Sequence, residues 1–257
     1  MPKESSGMII ARKDWPILML VEKSDDVNTA LRIHDIVEGV MGEISNTQGN
    51  SPDYEIKIGM YSFSNTSYFN HPQKIVKLSE YDISDFTKND VVDLTGVLNQ
   101  LNNDLSRSTL LNGKYGYYKP TLIFLFDGNK KYIANEALEK IKQNKWFRAA
   151  HKMAFFVNKH DVSDEDDIVK LVGDKEAVFT VNNTGEAIEI LKQLLICINL
   201  VAGFITVLPS HDGMIDDRSE NFNILGDYFN IVKVDPFDEE IEACTDDTDW
   251  GSNQDWE

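Results

Sequence analysis

The chain has 257 residues, 42% of them hydrophobic, and 25 Lys and Arg against 43 Asp and Glu, for a net charge of −18. That length and apolar share are enough for a folded core and exclude a chain disordered throughout. So acidic a surface argues against a nucleic-acid backbone as partner. Two cysteines, Cys197 and Cys244, supply neither a disulfide framework nor a thiolate zinc cluster, and no apolar run reaches membrane-spanning length. The first fifteen residues show no secretory hydrophobic region, so a cytoplasmic setting is the expectation.

Residues 16–21 (PILMLV) form a continuous apolar run of strand length, the pattern of a strand buried on both faces. After the polar 22–26, the residues Val27, Ala30, Leu31, Ile33, Val37, Val40, Met41 and Ile44 recur with helical spacing. Residues 46–53 read as a surface loop. Residues 54–64 alternate with period two and predict a second strand, and 74–78 a short edge strand. Leu94, Val97, Leu98, Leu101 and Leu105 mark an amphipathic helix opening at residues 93–96.

Residues 121–126 (TLIFLF) are again a fully apolar strand, stopped by Asp127 and Gly128. A helical pattern follows over 133–145, then a strand over 153–157, a short helix over 168–172, a strand over 177–181 and a long helix over 185–200. Strands and helices in alternation, with strands buried on both faces, predict a doubly wound, Rossmann-like α/β fold. Its sheet is mostly parallel, with helices on both sides. Residues 201–208 are apolar and strand-like, and 222–234 alternate, so 201–234 form an extension that either packs on the domain or serves as a partner-binding appendage. Residues 235–257 hold ten acids and no Lys or Arg, a block that repels itself and reads as a flexible tail. The expected organisation is an N-terminal extension over 1–14, one domain over 15–200, the extension over 201–234 and the acidic tail over 235–257. Trp250 and Trp256 lie in that tail, which either solubilises the protein or docks on a partner with a basic, apolar groove.

Chemistry-bearing residues collect at predicted element boundaries: Glu22, Ser24 and Asp26 after the first strand, Thr95 at a helix start and Asp127 after the 121–126 strand. In doubly wound folds the carboxyl ends of strands carry the site. These side chains offer only hard oxygen donors, suited to Mg²⁺, Mn²⁺ or Ca²⁺. Singly, each has a plainer reading as a helix cap or turn. The five histidines show no metal-binding spacing, and no nucleophile elbow, Walker A or dinucleotide fingerprint occurs.

Taken in order, these residues resemble the von Willebrand factor A (VWA) family over residues 15–200. In that family a strand ends in Asp-x-Ser-x-Ser, a threonine opens a later helix, and an aspartate ends a further strand. The resemblance implies a metal-ion-dependent adhesion site formed here by Glu22, Ser24, Asp26, Thr95 and Asp127, with Mg²⁺ or Ca²⁺ as cofactor. Residues 120–128 are nearest in texture to bacterial TerY-like members, which implies a Ser/Thr kinase or a metal-dependent phosphatase as partner in a tellurite- or stress-resistance system. Three positions depart from the pattern: Glu22 stands for the first aspartate, Asp26 for the second serine and Phe126 for a hydroxyl residue. They leave open a retained but altered cation site, an empty cluster of carboxylates or a structural remnant. The leading expectation is a non-enzymatic interaction protein, an adaptor or scaffold. The alternatives are an Mg²⁺-dependent phosphoryl-transfer enzyme using Glu22, Asp26 and Asp127 as ligands, or a structural subunit with a vestigial site.

Overall fold

The computed structural model describes residues 12–24, 26–49, 54–63, 75–80, 93–114, 116–128, 134–158 and 165–202. Among the described residues, six strands form one sheet in the order β3-β2-β1-β4-β5-β6. They are β1 (Lys13–Glu22), β2 (Tyr54–Phe63), β3 (Val76–Lys77), β4 (Thr121–Phe126), β5 (His151–Phe156) and β6 (Val178–Thr180). All neighbours run parallel except β3, which joins the edge of β2 antiparallel through Lys57↔Lys77 and Ile58↔Val76. The doubly wound, mostly parallel fold expected from the alternation of elements is the one observed.

The central strands are the most apolar for a direct reason. β1 is flanked by β2 and β4, and every residue from Trp15 to Glu22 is buried, as is all of β4. A strand covered on both faces has no solvent side on which to place polar residues, so the run is continuous rather than alternating. Pro16 is tolerated within β1 because the β1–β4 pairing begins one residue later, at Ile17.

Helices α1 (Val27–Gly49), α2 (Leu94–Asp104), α3 (Asn135–Ile141), α4 (Lys145–Ala149) and α5 (Glu165–Val172) lie between the strands, and α6 (Thr184–Ala202) follows β6. α1 packs on α6, and α2 packs on α3. Gly39 lies where α1 meets α6: a Cβ there would come within 2.7 Å of Ile188 Cγ1, so the Ile188 side chain would have to shift.

Several expectations need correction. α1 continues to Gly49, so residues 46–49 are helix rather than loop. The single helical pattern over 133–145 is two helices, because Asn144 starts α4 anew by accepting from the backbone N–H of Trp146 and Phe147. Val201 and Ala202 belong to α6 rather than to a strand. β1 begins at Lys13, three residues before the apolar run 16–21, and α6 ends two residues past the helix expected to stop at 200. Val27 and Leu31 share the helical spacing of α1 but lie off its buried stripe and are 64% and 57% exposed. Residues 203–257, with Trp250 and Trp256, lie outside the described residues, as do the N-terminal 1–11. Among the described residues no helix is long and apolar enough to cross a membrane.

Candidate functional site

In a doubly wound sheet, the carboxyl ends of the strands flank a crevice where the chain reverses its direction of winding. Here that reversal falls between β1 and β4, since β1 is followed outward on one side by β2 and β3 and on the other by β4, β5 and β6. Glu22 is the last residue of β1, and Asp127 directly follows β4. Topology therefore brings together two carboxylates that are 105 residues apart in sequence.

The contact is direct. The Asp127 backbone N–H donates to Glu22 Oε2 at 2.9 Å. The Ser24 hydroxyl donates to Asp127 Oδ2 at 2.6 Å, and the Asp26 backbone N–H donates to Ser24 Oγ at 3.1 Å. Glu22 is fully buried, and Ser24 and Asp127 are each only 2% exposed. Gly128 lets the chain turn immediately behind the cluster: its φ of 88° lies in the left-handed region that a side chain disfavours.

Asp26 and Thr95 are placed differently. Asp26 is exposed and caps α1: its Oδ2 accepts from the Thr29 backbone N–H at 2.8 Å and from the Thr29 hydroxyl at 2.7 Å. Those Thr29 bonds, side chain first, hold its carboxyl below the ordinary aspartate pKa. Thr95 lies in the first turn of α2 with its side chain exposed, while Asp93 caps that helix by accepting from the Gly96 N–H at 2.9 Å. Of the five residues singled out in the sequence, Glu22, Ser24 and Asp127 thus converge side chain to side chain or backbone, and Asp26 joins them through its backbone N–H. Phe126 stands directly before Asp127. It is fully buried among the rings of Phe63, Phe124 and Phe156, at centroid distances of 5.4, 6.2 and 5.6 Å, so it serves the core.

Three residues of the cluster, Asn158, Thr29 and Arg32, were not singled out in the sequence. Asn158, just beyond β5, donates from Nδ2 to Asp127 Oδ1 at 3.0 Å and to the Thr29 hydroxyl at 2.8 Å. Its Oδ1 accepts from Arg32 of α1 at 3.2 Å. Thr29 itself is buried. The rule that found the other residues, polar side chains just past a strand end, applies equally to Asn158; Thr29 is announced only by standing three residues after a capping aspartate.

The donors suit a hard divalent cation. Two carboxyl groups and a hydroxyl, all oxygen, stand together in a buried place, where charge needs compensation. A thiolate or imidazole, the mark of a softer metal, is not among them. A separate trio, His34, Asp35 and Glu38 on the outer side of α1, also brings three ligand-bearing groups within reach of one another, but on an open surface.

No protein-family model matches the sequence, and no curated protein matches it. Solved structures do. Proximal thread matrix protein 1 from the mussel byssus, in its second crystal form, aligns with a TM-score of 0.51 at 15% identity, covering 74% of this chain and 49% of that one. The same matrix protein with a zinc-occupied MIDAS motif aligns with a TM-score of 0.51 at 15% identity, covering 74% of this chain and 48% of that one. The chain thus spans about half the length of those two matrix-protein structures. At that identity the likeness concerns the fold, and together with the strand order it establishes a VWA-like α/β fold for this protein.

Proposed function

We propose that this protein is a non-enzymatic interaction protein that uses the carboxyl-end face of its sheet, with a divalent cation held by Glu22, Ser24 and Asp127, to engage a protein partner. The observation that carries the reading is the buried contact between Glu22, Ser24 and Asp127 at the point where the sheet reverses its winding. Bound there, the cation would act as a Lewis acid that accepts an oxygen from the partner. Glu22 and Asp127 balance its charge, and Ser24 orients Asp127. Val27 and Leu31, exposed one helical turn apart on α1 just past this face, add apolar surface of the kind partners cover.

Mg²⁺ is the proposed ion: few protein oxygens fit its habit of keeping several waters, whereas Ca²⁺ takes six to eight oxygen ligands. The partner class to test first is the one implied by the TerY-like resemblance, a Ser/Thr kinase or a metal-dependent phosphatase in a cytoplasmic stress-resistance system. The tail residues Trp250 and Trp256 are proposed as a second contact for the same partner.

Thermal unfolding of the full chain in chelator and in Mg²⁺, Mn²⁺, Ca²⁺ or Zn²⁺ tests the site. At a hundredfold excess over Kd a specific ion should add about 2.7 kcal/mol of stability, seen as a saturable rise in Tm that Asp127→Asn abolishes. Equal Tm values in chelator and in every ion would sink the reading.

A further inference from the structure

The Asn158 amide is gripped at three points, and its orientation follows from its partners. Arg32 carries only donors, so the atom facing it must be the amide oxygen. The two N–H bonds of Nδ2 are then aimed at Asp127 Oδ1 and the Thr29 hydroxyl. Thr29, having accepted that bond, gives its one hydrogen to Asp26 Oδ2, and the Asp26 backbone N–H returns to Ser24 Oγ, which donates to Asp127 Oδ2. The result is a closed circuit of hydrogen bonds through Asp127, Asn158, Thr29, Asp26 and Ser24. It joins the ends of β1, β4 and β5 to the start of α1.

The backbone delivers Asn158 to this place. The Val157 N–H donates to Phe126 O at 2.9 Å, extending the β4–β5 pairing one residue so that Asn158 comes to lie beside Asp127. Both oxygens of Asp127 are therefore held, Oδ2 by Ser24 and Oδ1 by Asn158, and the plane of the carboxylate is set from two sides.

We propose that Asn158 is a positioning residue for the cation site: oriented by Arg32, it fixes the carboxylate of Asp127 for coordination. This rests on the reading of Glu22, Ser24 and Asp127 as cation ligands. A partner that orients a ligand typically contributes 10- to 100-fold to metal affinity. With Asp26 turned to cap α1, the carboxylate at that position acts on Asp127 only indirectly, through Thr29 and Asn158.

Titration calorimetry and thermal unfolding of the full chain with Mg²⁺ test the proposal. Asn158→Ala should weaken Mg²⁺ binding by about 10- to 100-fold. Arg32→Met should weaken it less, and should add nothing in the Asn158→Ala background, because its effect travels through the amide. Asn158→Asp, nearly isosteric, places a third carboxylate against Asp127. Its Tm in chelator should fall below that of the native chain, and its rise on adding Mg²⁺ should exceed the native rise. A merely structural role would lower both Tm values alike.

A native chain without any Mg²⁺ response overturns the ligand reading and the proposal with it. A native response with an unchanged Kd in Asn158→Ala overturns only the proposal, as does an Asn158→Asp variant whose Mg²⁺-induced rise is no larger than the native one. Independent, additive effects of Arg32→Met and Asn158→Ala remove Arg32 from it.

Discussion

Single side chains at the two ends of the sheet live under opposite electrostatic regimes. At the carboxyl end, Glu22 and Asp127 are buried acids whose visible donors are a backbone amide, a hydroxyl and a side-chain amide. At the amino end, His151 and Lys152 open β5 near Lys119. Burial, and then the charges of Lys119 and Lys152, push His151 down to about 4, and burial pushes Lys152 down to about 8. Lys152 is compensated by the carbonyls of Phe147 and Ala150, at 3.1 and 3.2 Å, and by the face of the Phe147 ring. The depressed His151 has a consequence for stability. Unfolded, it takes up a proton near pH 6.5; folded, it does so only near 4. The unfolded state therefore binds more protons between those values, and stability present above pH 6.5 is lost as the pH falls toward 4. His151→Gln should flatten this part of a urea-denaturation pH profile. An unchanged slope between pH 6.5 and 4 would show that His151 does not drive it.

At the scale of elements, ends matter more than propensities. Periodicity over 133–145 reads as one helix because apolar spacing carries across Lys142 and Gln143; it does not register that Asn144 uses both ends of its amide. The Asn144 oxygen caps α4, while its Nδ2 donates to Asn102 O, Asn102 Oδ1 and Leu105 O at the end of α2, at 3.1 to 3.2 Å. One residue thus starts one helix and finishes another. Asn144→Ala should cost about 2 kcal/mol, roughly half from the lost cap and half from the abandoned carbonyls. Asn144→Asp retains the cap but sets an anion against those carbonyl oxygens. Full stability of the Asp variant in equilibrium denaturation would show that the α2 side of the bridge contributes nothing. The same limit of local pattern applies at the site. That Glu22, Ser24 and Asp127 stand at strand ends was legible, because the apolar runs of β1 and β4 stop there. Asn158 also stands just past a strand end, but nothing local announces which partners it meets: Asp127, Thr29 and Arg32 lie 31, 129 and 126 residues away. Likewise Val27 and Leu31 match the helical spacing, yet only the direction in which α1 lies on the sheet turns them outward.

For the whole molecule, charge and topology divide the work. Ten of the eighteen net negative charges belong to residues 235–257, so a chain ending at 234 carries −8. If the tail docks through Trp250 and Trp256, surface-immobilised 1–257 should bind the candidate kinase or phosphatase more tightly than 1–234, by a margin that shrinks as salt screens the acids. Equal affinities at low salt would sink the tail contact and leave the strand-end face alone. What the sequence determines by itself is local: which runs are too apolar to face water, where polar residues interrupt them, and how the charge is distributed along the chain. Those features were sufficient for the fold class, since two unbroken apolar strands among amphipathic helices have few ways to bury themselves. The tertiary structure decided which of the polar interruptions meet. Placing β4 beside β1 rather than beyond β2 is what carries Asp127 to Glu22, and extending β5 one residue along β4 is what carries Asn158 to Asp127. Hydrogen bonds act over about 3 Å, so only the packed chain can decide which distant residues make them.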